Sequence, residues 1–232
     1  LTEDPYSLEA IETIQRLQDD SDEILQASGV ENELSLFFSG ETALQADLQR
    51  ANDRDTLLVV ILVTVFITIM LGLLTRSVVA PLYMMGTILL SFFSALGLGM
   101  LILGGFFDID AMSSRIPLYT FVFLVALGVD YNIMLVSRIK EEIGHFSIKE
   151  AVERGISFTG GVISSAGLIL AATFAVLTTQ PIMELFIFGF IVALGVMIDT
   201  FIVRSMLVPA IIVVLGKWSF WPLKKDKMKQ PN

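Results

Sequence analysis

The chain has 232 residues, 54% of them hydrophobic, and no cysteine. A mean hydropathy of +0.76 places it among polytopic membrane proteins, and the missing cysteines exclude disulfides and thiolate metal sites. The formal charge of −9 is uneven, since residues 1–55 hold fourteen Asp/Glu against three Arg, while the remainder holds ten against twelve Lys/Arg. The acidic part argues against nucleic-acid or anionic-lipid binding there.

Residues 1–55 read as the end of a soluble α+β domain. An amphipathic helix is expected from Pro5 to about Ala27, on the spacing of Leu8, Ile11, Ile14, Leu17, Ile24 and Leu25. Ser28-Gly29 ends it, residues 33–38 (ELSLFF) read as a short strand, and a polar helix follows from about Glu41 to Asp55. So few residues cannot bury a core of their own. No basic-then-apolar leader opens the chain, so it is expected to be a piece of a longer protein.

Five apolar segments follow, at 56–75, 81–104, 117–137, 157–178 and 184–208, the last staying apolar to about Gly216. Together, residues 56–216 are expected to form an all-α transmembrane domain. At about 1.5 Å per residue the final run reaches about 48 Å, more than a bilayer core needs. Pro209 is expected to bend it, or its end to lie along the interface. Residues 139–155 read as an amphipathic helix on the membrane surface. Arg76, Arg138, Lys140, Lys149, Arg154 and the basic tail 217–232 fall on one side, which the positive-inside rule makes cytoplasmic. Residues 1–55 are then extracytoplasmic, in a plasma-membrane protein, and Trp218 and Trp221 fit an interfacial aromatic belt.

Asp130 is the most informative residue. It interrupts the run 118–136, which carries no other ionisable side chain except tyrosines. A carboxylate at that depth costs on the order of 3 kcal/mol or more, so it is kept to hold a proton, an ion or a partner. Tyr131 beside it adds a hydroxyl that can donate or accept. The expected role of the pair is proton coupling, against the alternative of a structural acid tied to a neighbouring helix. Asn132 is expected to pack against another helix, and Gly128 to allow close approach.

The fourth segment is rich in small residues. Gly160/Ser164 and Gly161/Ser165 are small-xxx-small pairs suited to close helix packing. Ser164 or Ser165 is a candidate to hydrogen-bond Asp130 or line a water path. Asp199 in the fifth segment precedes Arg204 by five residues, about 140° around an α-helix, so the two are not expected to face each other. Asp199 is expected to act as a polar lock or to meet a partner on another span. Glu184 suits an outer helix start. His145, Asp108, Asp110 and Arg115 read as ordinary loop residues, and a single histidine supports no metal site.

The stretch 125–132 (VALGVDYN) with 137–142 (SRIKEE), 159–167 (TGGVISSAG) and 199–205 (DTFIVRS) resembles the MmpL type of the RND (resistance-nodulation-division) transporters, closest to Gram-positive, YdfJ-like members. Residues 40–43 (GETA) and 76–81 (RSVVAP) fit the same pattern. The resemblance covers essentially the whole chain. It implies twelve spans in two pseudo-repeats, with this chain supplying the end of the second large loop and spans eight to twelve. Residues 7–38 would then complete a ferredoxin-like porter subdomain. The Asp130-Tyr131 pair would face a matching Asp-Tyr pair of the first repeat, which is absent from this chain, to form a proton relay.

The expected function is therefore proton-motive-force-driven export of lipids or other hydrophobic compounds by a non-enzymatic, secondary active transporter. Protons serve as the coupling ion and no cofactor is expected. Expected partners are membrane lipids, the hydrophobic substrate, the missing N-terminal half and a second copy in a homo-oligomer, with no nucleic acid. A sterol-sensing or receptor-like lipid-binding module is the alternative. An intramembrane aspartyl protease using Asp130 and Asp199 is remote, because Tyr131 follows rather than precedes Asp130 and no Gly-x-Gly-Asp is present.

Overall fold

A computed structural model describes residues 8–27, 36–107, 109, 112–113 and 115–222. They divide into two units, residues 1–59 and 60–232.

In the first unit, α1 (Leu8–Asp19) and α2 (Ser21–Ala27) are separated at Asp20, where a single helix was expected. The third helix, α3, begins here and runs Glu41–Thr75, so the polar helix and the first apolar segment are continuous. Arg50 ties its first turns to α1, pairing with Asp19 at 2.7 Å and donating to the Gln15 carbonyl at 2.8 Å. Gln18 donates to Asp47 at 3.1 Å. These are exposed contacts and position more than they stabilise.

The expected α+β remnant is not what forms among the described residues. They contain no strand, and Leu36–Phe38 carry no regular structure. The rest of the strand expected at 33–38 lies outside the described residues. A strand needs a neighbour for its backbone groups, and the described part of this chain brings none.

The regular structure described in the second unit is all helical. It contains α4 (Val79–Phe107), α5 (Arg115–Ile143), α6 (Ile148–Ala175) and α7 (Met183–Ile198). A π-helix (Asp199–Leu207), α8 (Val208–Leu215) and a 3-10 turn (Gly216–Phe220) extend α7. Five helices are long and apolar enough to cross a membrane: Glu41–Thr75, Val79–Phe107, Arg115–Ile143, Ile148–Thr179 and Met183–Phe220. Leu62, Phe66, Leu73, Leu101 and Ile169 remain exposed on them, as suits a lipid or partner contact.

No separate surface helix occupies 139–155. Residues 139–143 finish α5 and 148–155 begin α6, around a turn ended by a capping box. Ser147 accepts from the Glu150 amide, and the Glu150 carboxylate accepts from the Ser147 amide at 3.1 Å. The amphipathic pattern read from sequence belongs to the polar ends of two long helices.

Two apolar layers hold the helices. One contains Phe92, Phe121, Leu124, Val125, Ile187 and Ile191, and the other Leu71, Met84, Leu135, Ile139, Val203 and Ile212. Helix α7 sits close to its neighbours because glycines leave room. A Cβ on Gly195 would lie 2.6 Å from Leu124, and one on Gly99 2.9 Å from Ile191. Such close approach is how helices associate where no hydrophobic drive separates them from lipid.

Candidate functional site

The site is built where α5, α6 and the π-helix meet. Pro209, in the first turn of α8, has no amide hydrogen to give the preceding turn. The chain ahead of it widens to i→i+5 bonding over Asp199–Leu207, an adjustment that re-satisfies backbone groups beside a proline in a membrane. The irregularity anticipated at Pro209 thus begins ten residues before it.

This widening changes which side chains meet. Residues five apart now stack, and Arg204 pairs with the Asp199 carboxylate. The expectation that they point apart is corrected, because it assumed an α-helical turn. Both are buried, Asp199 at 8% and Arg204 at 2% exposure. Asp199 therefore meets its partner on its own helix. Arg204 carries the connection to α5, donating to the Gly128 carbonyl at 3.4 Å and lying 4.7 Å above the Tyr131 ring.

Gly128 fits tightly between neighbours. A Cβ there would lie 3.1 Å from Ile88 of α4. Asp130 follows on the open face of α5. It is exposed and makes no hydrogen bond or ion pair among the described residues. Tyr131 is half-buried. Asn132 is fully buried, and neither polar atom of its amide finds a partner among the described residues.

The serines of α6 do not reach Asp130 through a hydrogen bond. Ser165 donates to the Val162 carbonyl of its own helix at 3.1 Å, and Thr159 to that of Gly155 at 2.8 Å. Ser164 lies instead in the wall of a cavity of about 30 Å³, with Thr159, Gly160, Thr200, Arg204 and Ser205. That is room for water, with hydroxyls and a guanidinium to hold it. Nε and Nη1 of Arg204 are buried and otherwise unpartnered.

Among the described residues, Gly160 and Gly161 make no close interhelical approach: the nearest atom to a Cβ on Gly160 belongs to Ile156 of its own helix, and nothing lies within 4 Å at Gly161. Other glycines of α6 do that work. A Cβ on Gly167 would sit 2.3 Å from the Thr200 hydroxyl, and one on Gly155 2.5 Å from Ile139. Among the described residues no group of three or more His, Asp or Glu could hold a metal.

The geometry is thus an exposed intramembrane acid beside a tyrosine that is fixed by a buried arginine–aspartate pair. A family model described as the MMPL family matches residues 2–231. The chain belongs to the MMPL family. This MMPL chain is 48% identical to a membrane protein of Streptomyces coelicolor over 95% of its own length and 26% of that protein. It is 46% identical to the apo-petrobactin exporter of Bacillus anthracis, over 99% of the chain and 31% of the exporter. The MmpL12 protein of Mycobacterium tuberculosis, named a probable transport protein, is 39% identical over 82% of the chain and 17% of that protein. The chain therefore spans less than a third of these relatives.

Arg204 is the residue that sequence reasoning set aside. Its signal was present, as a charge in an apolar run with a proline five residues on, but only a π-turn makes it Asp199's partner.

Proposed function

We propose that this chain is the C-terminal part of a proton-motive-force-driven exporter of lipids or other hydrophobic compounds. The observation that carries the reading is Asp130: an exposed acid on a membrane-spanning helix, its side chain without a partner among the described residues. An acid so placed is suited to take a proton and to meet a group from a segment this chain lacks. The matching Asp-Tyr pair of the first repeat is the proposed partner, with Tyr131 hydrogen-bonding the opposing acid. Arg204 and Asp199 position Tyr131 from behind. Protonation changes the charge between the repeats, and rocking of one against the other carries cargo outward. The exporter name of the Bacillus anthracis relative supports the outward direction. In the proposed orientation residues 1–55 are extracytoplasmic and the C-terminus cytoplasmic.

The test is efflux of Nile red from cells carrying the intact protein, wild type against Asp130→Asn, with membrane insertion checked. Loss of efflux to the level given by a protonophore is expected. Unchanged efflux in a normally inserted mutant would remove Asp130 from coupling and favour a sensor-like module.

A further inference from the structure

The turn between α3 and α4 holds a second feature, away from Asp130. Arg76 ends α3 with φ of +49°. Glycine takes this left-handed conformation without strain, and it is the usual residue at a helix end of this kind. An arginine here spends conformational energy that its side chain must justify. Yet Arg76 is exposed and makes no ion pair among the described residues. A second cation stands beside it, since the Lys140 ammonium donates to the carbonyl of Thr75, the preceding residue.

Arg76 also lies in the wall of a shallow, open groove of about 420 Å³. The groove runs between α3 and α4, and Ile69, Leu73, Val78, Pro81 and Leu82 make it largely apolar. Trp221 marks the level: its carbonyl accepts from the Val78 amide and the Ser77 hydroxyl, both at 3.0 Å. Its own ring and that of Trp218 are exposed, as aromatic side chains are at a membrane–water boundary. An apolar groove between two spanning helices thus opens, at interface depth, on a cation that has no ion pair among the described residues.

We propose that the Arg76 groove binds one anionic glycerophospholipid, its phosphate on the Arg76 guanidinium and an acyl chain along Ile69, Leu73 and Leu82. Charge selects the occupant. A zwitterionic lipid would bring an extra cation to a place that already holds Arg76 and Lys140, and the turn residues 76–78 offer no acid to receive it. This inference rests on the helices crossing the membrane and is independent of the export reading.

The experiment is native mass spectrometry of the intact protein, titrated with phosphatidylglycerol or phosphatidylcholine. Phosphatidylglycerol is expected to bind more tightly. Arg76→Gln and Arg76→Gly should weaken it about five-fold, as one cation near the headgroup is worth. The glycine variant suits the backbone, so its loss is not a folding effect, and Arg76→Lys should retain most of the affinity. Arg115→Gln, at the start of α5, should change nothing. Equal binding of both lipids by the wild type, or undiminished phosphatidylglycerol binding by Arg76→Gln and Arg76→Gly, overturns the proposal. So does displacement of the lipid by an equal concentration of glycerol 3-phosphate, which would make this a site for free phosphate.

Discussion

Removing one partner of the Asp199–Arg204 pair should expose how much the π-turn contributes. Arg204→Met leaves the Asp199 carboxylate buried and unpaired. Stranding one member of a buried pair costs about 3–5 kcal/mol, and Asp199→Leu, which strands the guanidinium, falls in the same range. If the residues acted independently, the double variant would lose roughly 8 kcal/mol. If they are paired, replacing both by apolar side chains removes the stranded charge along with the pair. What remains lost is the Tyr131 ring contact and the bond to the Gly128 carbonyl, together about 2 kcal/mol. The assay is equilibrium unfolding of the purified intact protein in mild detergent, with all four members of the cycle. A double variant whose loss equals the sum of the singles within about 0.5 kcal/mol would refute the pairing, and with it the widened turn.

Three further outcomes follow from local geometry. Gly167→Ala places a methyl 2.3 Å from the Thr200 hydroxyl, so it should cost about 1–3 kcal/mol, with Thr200→Ala restoring part of the melting temperature. Ser147→Ala removes the capping box that starts α6 and should lower stability by about 1 kcal/mol while leaving efflux intact; a loss of efflux would give that turn a further role. Asn132→Leu exchanges a buried amide without a partner among the described residues for an apolar side chain of similar size, so unfolding should shift little or toward greater stability. A clear destabilisation would show that the amide is bonded in the assembled protein.

The membrane helices were legible because length and hydropathy suffice to find them. Their contacts were less so. The sequence marks Gly160 and Gly161, but among the described residues it is Gly155 and Gly167 of the same helix that meet another element. Which small residue touches a neighbour depends on helix rotation, and small-xxx-small spacing does not report that. Residues 33–38 illustrate a different limit. A short apolar run is compatible with strand or irregular chain until a pairing partner is known, and no strand occurs among the described residues. The Asp199–Arg204 pair was missed for a sharper reason. Angular position at 3.6 residues per turn holds only for an α-helix, and the chain at Asp199–Leu207 is a π-helix.

Asp130 and Asp199, two acids within apolar runs of the spanning helices, differ in how their charge is met. Burying a carboxylate in hydrocarbon costs on the order of 3 kcal/mol, and for Asp199 the chain supplies an arginine on the same helix to offset it. For Asp130 the described residues supply none. On the proposed reading that difference separates positioning from coupling. A group that must exchange a proton cannot sit permanently against a fixed guanidinium, so the arginine is spent on Asp199 and reaches the relay only through the Tyr131 ring. Asp199→Asn should therefore lower stability and efflux together. Asp130→Asn should abolish efflux at nearly unchanged stability, and an equal stability loss in both would return Asp130 to a structural role.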